Sequence, residues 1–209
     1  MNRSESKYFN TAVRFDKALL SLLEKKYMVT RNEFYIGVTL LSIAISTNEN
    51  DVQVSWIYNG RDDLVASSSV GLFYRDLPVA LRLNDKMTLR DIFAAVQEQV
   101  KNGIKYSCYP YNELEALPIY DDATCILYQR DLRDIGDLGG LSVEQVDIRQ
   151  NKAASQTVLD IQILDGEEGL QYAFDYAASR YKKETMSEFQ NLFKSVVAAI
   201  VNNTNTEGY

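Results

Sequence analysis

Val70-Gly71-Leu72-Phe73-Tyr74-Arg75-Asp76-Leu77-Pro78-Val79-Ala80-Leu81-Arg82 passes from an irregular segment into a strand. Leu77, Val79, Leu81 and then Leu83 recur with a period of two, which puts alternate side chains on one face of a sheet. Pro78 has no N–H to give a neighbour, so the start of this strand belongs near a sheet edge. Gly71 and Pro78 mark backbone geometry, and Phe73 and Leu77 fill core rather than touch a ligand. Upstream, Val52, Val54, Trp56 and Tyr58 share one face of another strand, which runs into the turn signal Asn59-Gly60 and then Arg61. Residues 62–69 read as a polar loop between the two strands.

The elements around this pair mix helices and strands. Phe9 to Phe15 suits a strand, and Asp16 suits the N-cap of a helix with Leu19, Leu20, Leu22 and Leu23 on its apolar face. Thr30 and Glu33 form a capping box before Phe34 to Ser46, a helix apolar nearly all round and therefore buried. Thr88 and Asp91 cap another, with Ile92, Phe93, Val96, Val100 and Ile104 on one stripe. Ala123 to Gln129 and Leu141 to Ile148 are strand candidates. Leu159, Ile161, Ile163 and then Leu170, Tyr172, Phe174, Tyr176 are two alternating strands, and Asp165 to Gly169 is the hairpin loop joining them. A last helix carries Met186, Phe189, Phe193, Val196 and Ile200. The order predicts an α/β (α+β) domain, a mixed β-sheet packed by helices. Residues 1–8 read as an N-terminal extension, 9–202 as one domain and 203–209 as a flexible tail.

Composition narrows the chemistry. The 209 residues contain no histidine, the side chain best placed to exchange protons near neutral pH. Ser-His or Cys-His nucleophiles and His-ligated metals are thereby excluded. A net charge of −7 argues against nucleic-acid binding, which needs clustered Lys and Arg. The longest apolar run, Val38 to Ile45, is too short to span a bilayer, and the N-terminus has no apolar core of a signal peptide. These features predict a cytoplasmic chain without membrane attachment. Cys108 and Cys125 match neither zinc nor redox spacing and read as reduced thiols in a packed interior. The acidic pairs Asp62-Asp63, Asp121-Asp122 and Glu167-Glu168 read as solvated loops.

The ordered set of elements resembles the C-terminal half of a condensation domain from nonribosomal peptide synthetases, in the chloramphenicol-acetyltransferase-like superfamily. The resemblance covers about Phe9 to Asn202. Gly71, Phe73, Leu77, Pro78 and, with one residue of slippage, Arg82 match the family's Gly-x-Phe-Val-Asn-Thr-Leu-Pro-x-Arg motif. Tyr109-Pro110 with Tyr111 matches the Tyr-Pro-aromatic core of its His-Gln-Asp-Tyr-Pro-Phe-Glu motif, and Gly60-Arg61 matches a strand-ending Gly-Arg step. Arg75-Asp76 replaces the family's Asn-Thr, and the segment around Cys108 has lost the motif's His, Asp and Glu.

The resemblance implies a CoA-dependent acyltransferase-like half domain, one wall of a V-shaped pair of subdomains. The missing N-terminal subdomain would carry His-His-x-x-x-Asp-Gly, and carrier proteins would present phosphopantetheine arms to the tunnel between the halves. No cofactor would be bound directly, and no catalytic residue lies in this chain. Arg61, Arg75 and Asp76 are the cleft-facing or supporting candidates, with Arg61 expected at the strand end, free of any strong carboxylate partner within the chain until an aspartate of the missing half meets it. Arg75 and Asp76 are also read as a solvated pair with each other. Half of a two-subdomain fold should leave an apolar face exposed and prone to self-association. Two other readings stand beside this one: a non-catalytic condensation-like module that recruits a partner or carrier protein, and another acyltransferase of the superfamily using a CoA thioester.

Overall fold

The alternation of apolar residues becomes a filled sheet face. The computed structural model describes residues 6–13, 17–61, 67–110, 113, 124–130, 158–166 and 169–206. In chain order these form β1 (Ser6–Val13), α1 (Lys17–Tyr27), α2 (Arg31–Thr47), β2 (Asp51–Tyr58), β3 (Arg75–Arg82), α3 (Leu89–Lys105), β4 (Thr124–Arg130), β5 (Leu159–Gly166), β6 (Gly169–Ala177) and α4 (Lys183–Thr206). The strands make one six-stranded sheet in the order β1-β6-β5-β4-β2-β3. The pairs β2–β4 and β4–β5 are parallel and the remaining neighbours antiparallel, so the sheet is mixed, as the sequence predicts. β3 is an edge strand, where Pro78 costs no ladder hydrogen bond that a further strand would need.

Register places one apolar row across the sheet. Leu77 lies opposite Trp56, Trp56 beside Ile126, Ile126 beside Ile161, and Ile161 opposite Phe174. All five are buried. Removing each from water contributes about 2 kcal/mol. α2 packs on β2 and β4, α3 on β3, and α4 against α2 and α1, which closes this face.

α2 and α3 start where their capping boxes predict: the Thr30 and Thr88 side chains accept from the N–H groups of Glu33 and Asp91, and each carboxylate accepts from the cap residue's own N–H. Residues 33–40 of α2 are buried without exception. Its Thr39 and Ser42 are tolerated there because their hydroxyls donate to the carbonyls of Tyr35 and Val38, at 2.8 and 2.7 Å.

Several boundaries differ from expectation. β1 begins at Ser6, inside the expected extension, because Ser6 to Tyr8 find partners in Ala177 to Asp175 of β6. α4 continues to Thr206, four residues past Asn202, since nothing in Asn203-Thr204-Asn205-Thr206 forbids helical backbone. Leu22 is on the exposed side of α1, while Leu20 and Leu23 enter the core. Cys108 is exposed and Cys125 buried, so only one of the two thiols is interior. The expected cap at Asp16, the strand over 141–148 and the three acidic pairs lie outside the described residues.

Gly37 shows how tightly the helical layer is packed. A Cβ there would stand 2.6 Å from the Phe93 ring, which is itself held between Tyr27 and Phe34, with ring centroids 5.0 and 5.7 Å away. Alanine gains about 1 kcal/mol of helix propensity over glycine, but overpacking costs about 1–3 kcal/mol where the neighbour cannot move. Gly37→Ala is therefore expected to lower stability, by about 1 kcal/mol, in urea denaturation. An unchanged or raised midpoint would show that Phe93 has room to shift.

Candidate functional site

The family-matching residues gather at the open end of the β2–β3 pair. β2 ends at Tyr58, and Asn59 Oδ1 accepts from the Arg61 backbone N–H at 3.0 Å, a local turn bond that asparagine favours. Gly60 has φ +65°, and a Cβ on it would fall 2.2 Å from the Phe73 carbonyl oxygen. Only glycine fits here, on both counts. The chain thus returns at Phe73 directly against the turn it left.

Arg61 is half-buried and engaged within the chain. Its Nη1 donates to the Ser69 carbonyl and its Nη2 to the Gly71 carbonyl, each at 2.9 Å. The guanidinium also lies over the Phe73 ring, 4.5 Å from its centroid. The acceptors shown are carbonyls and not carboxylates: a planar fork with several donors satisfies groups that its own loop presents. Phe73 is half-buried beneath it, and Gly71 is exposed apart from its use as an acceptor.

Arg75 and Asp76 do not form a pair. Successive strand residues point to opposite faces: Arg75 lies opposite Tyr58, on the apolar-row face, and Asp76 opposite Ile57, on the other. Arg75 Nη1 donates to the carbonyls of Phe73 and Tyr74, both at 3.1 Å. Asp76 is half-buried, and burial raises its carboxyl above the ordinary range. The negative charge of Asp160 adds to this, while the Ser55 hydroxyl nearby opposes it. Asp76 is thus not the solvated surface carboxylate of the expected pair.

On the same face as Asp76, Pro78, Ser55, Cys125, Asp160 and Asp175 occupy one row across five strands. Ser55, Cys125 and Asp175 are buried. Burial pushes the Cys125 thiol up, and the charges of Asp76 and Asp160 push it further, so this thiol stays protonated and unreactive at neutral pH. Among the described residues no three Cys, Asp or Glu side chains converge as a metal site would require, and no helix is long and apolar enough to cross a membrane.

The Tyr109-Pro110 segment follows α3. The Tyr109 hydroxyl donates to Glu113 Oε2 at 2.7 Å, and the Pro110 carbonyl accepts from the Glu113 N–H. Both Tyr109 and Pro110 are exposed. Leu77 is buried, and its side chain meets Gly103 in the last turn of α3, which brings the end of α3 beside the start of β3. Val70, Leu72, Tyr74, Tyr106 and Tyr109 are all exposed, and they flank these two joined elements in sequence.

Sequence reading missed a partly buried polar cluster at the start of α2. Arg31 bonds Glu24 Oε1 through Nε at 2.9 Å and Asp165 Oδ2 through Nη1. Tyr128 donates to the same Asp165 oxygen at 2.9 Å. Tyr35 stacks on Tyr128 and shares a 3.3 Å hydroxyl contact with Tyr172. Asp165 belongs to β5, with a side chain only 7 % exposed, and not to the hairpin loop where the sequence places it. Its partner is 134 residues away, and no local spacing signals such a contact.

Burial is the leading cause raising the hydroxyl pKa values of Tyr35, Tyr128 and Tyr172, that of Tyr128 to about 12. The folded chain therefore holds these protons more tightly than the unfolded chain, whose tyrosines titrate near ~10. That contribution is complete below pH ~10 and is lost as the pH rises through about 12 for Tyr128. Stability is expected to fall steeply with alkali from about pH 10, and less steeply in Tyr128→Phe, by denaturant titration at each pH. Equal slopes in the two proteins would contradict the burial of Tyr128.

Comparison with known proteins identifies the family. The family model for the Condensation domain matches residues 4–207. A plipastatin synthase polypeptide of Bacillus subtilis (strain 168) is 23 % identical over 191 residues, which is 84 % of this chain and 7 % of that protein. The first condensation domain of the CDA synthetase superposes with a TM-score of 0.75 at 16 % identity, over 96 % of this chain and 46 % of that one. The X-domain in complex with OxyB, from teicoplanin biosynthesis, gives 0.70 at 18 %, over 97 % and 46 %. The chain spans about half the length of these solved structures and a small part of the curated relative. With a family model matched over nearly its whole length and a fold that superposes on condensation domains, this chain belongs to the Condensation domain family.

Proposed function

We propose that the chain is the C-terminal half of a nonribosomal peptide synthetase condensation domain and supplies one wall of the tunnel in which carrier-bound acyl and aminoacyl thioesters are joined. The observation that carries this reading is the coverage: 96 % of this chain superposes on 46 % of a condensation domain. The exposed Val70, Leu72, Tyr74, Tyr106 and Tyr109 supply an apolar surface for the other half, or for a second copy where that half is absent.

In the proposed reaction the acceptor amine attacks the donor thioester carbonyl. The C–N bond forms, the C–S bond breaks, and the released thiolate takes up the proton that the amine loses. The phosphopantetheine arms are parts of the carrier-borne substrates, not resident cofactors. Proton transfer at neutral pH falls to a histidine of the N-terminal half, because this chain has none. Its own contribution is a rigid wall: Gly60, Arg61, Gly71 and Phe73 shape the loop beside the cleft, and Arg75, Asp76, Leu77 and Pro78 seat β3. The work takes place in the cytoplasm.

A second reading, a non-catalytic module that recruits another protein, is favoured by the loss of His, Asp and Glu from the segment around Cys108. The family fold also occurs in the X-domain bound to OxyB. An intact His-His-x-x-x-Asp-Gly in the sequence encoded upstream supports the enzyme, and a degenerate one supports recruitment.

The isolated chain is expected to transfer no acyl group between carrier-bound aminoacyl thioesters, as followed by mass spectrometry of the carrier arms. Turnover above a matched blank that persists through repurification would contradict the half-domain reading.

A further inference from the structure

The Ser69–Tyr74 segment poses a physical problem that its own composition does not solve. Val70, Leu72 and Tyr74 are 104 %, 78 % and 51 % exposed, so three large apolar side chains in alternation stand in water. A short polypeptide free to move would turn them inward. Something must hold the intervening residues on the inner side.

The alternate residues Ser69, Gly71 and Phe73 are the ones held. Two of their carbonyls accept from the two terminal nitrogens of Arg61, and the third accepts from Arg75 at 3.1 Å. The Phe73 ring lies under the Arg61 guanidinium, and Gly60 leaves space for the Phe73 carbonyl where any Cβ would collide. We propose that Arg61 is a positioning residue that clasps the Ser69–Phe73 segment to the end of β2 and so presets the outward display of Val70, Leu72 and Tyr74.

The residue type matters. A guanidinium offers a flat fork able to donate in two directions while its face rests on an aromatic ring. An ammonium is a compact point charge that cannot bridge carbonyls two residues apart and lie flat on a ring at once. The assignment rests on contacts within this chain, and it holds whatever surface meets the loop.

Chymotrypsin, which cuts after Leu, Phe and Tyr, reads the clasp in the full chain, with cleavage at Leu72, Phe73 and Tyr74 mapped by mass spectrometry. Cleavage tracks the open population of the segment, so Arg61→Ala and Arg61→Lys are both expected to speed it by ~10-fold or more, and Phe73→Leu by less. In wild-type NMR spectra the Arg61 side-chain protons are expected upfield, shifted by the Phe73 ring, and the shift vanishes in Phe73→Leu. Wild-type cleavage in Arg61→Lys, or Arg61 protons at ordinary positions, would overturn the proposal. Should Arg61→Ala fail to fold, the lysine and leucine variants and the wild-type spectrum decide alone.

Discussion

The in-register row Leu77–Trp56–Ile126–Ile161–Phe174 is the constraint on which the rest of the structure depends. Because side chains alternate along a strand, a slip of one residue anywhere would turn this row to the opposite face. There it would stand with Pro78, Ser55, Cys125, Asp160 and Asp175, the actual row of that face. Burying two aspartates and a hydroxyl under α2 instead of Trp, Ile and Phe would cost several kcal/mol. The difference between the two faces therefore fixes the register of parallel and antiparallel pairs alike.

Fixed register has two consequences at the end of the sheet where the parallel strands β2, β4 and β5 finish. Arg130 lies beside Asp165 in the β4–β5 ladder, which sets Tyr128 and Asp165 within reach of each other and of Arg31 at the first turn of α2. The ion pair ties a helix start to the end of a strand, and its geometry follows from the apolar row rather than creating it. At the same end, the register brings Tyr58 opposite Arg75, so the chain leaving β2 and the chain entering β3 run side by side. Gly60, Arg61 and Phe73 can meet only because of this. The surface that carries the family-matching residues is thus an outgrowth of the core.

Much of this is legible in the sequence. Four alternating apolar runs mark β2, β3, β5 and β6 with their buried faces, Thr30 and Thr88 mark the starts of α2 and α3, and Pro78 points to an edge strand. Arg61, Gly60 and Phe73 are identifiable as neighbours of a family motif. Their mutual contacts are not, because nothing in the spacing of Arg61 from Ser69 or Gly71 says which carbonyls a long side chain will reach. Arg75 and Asp76 read as a pair since adjacency in sequence suggests contact, whereas a pleated strand separates them. Asp165 reads as part of the hairpin loop because it opens an acidic, glycine-flanked stretch, and bonds from Arg31 and Tyr128 make its burial in β5 tolerable.

The apolar row under α2 makes this chain a cooperative unit on its own, with the Arg61 loop carried at its margin. Native-state hydrogen exchange of the chain across a denaturant series tests it most directly. Amides of Trp56, Ile126, Ile161 and Phe174 should converge on one opening free energy equal to that of global unfolding, while those of Val70 and Leu72 open at lower cost. Row amides that exchange through separate, lower-energy openings would contradict the account and show that the sheet does not hold together as one unit.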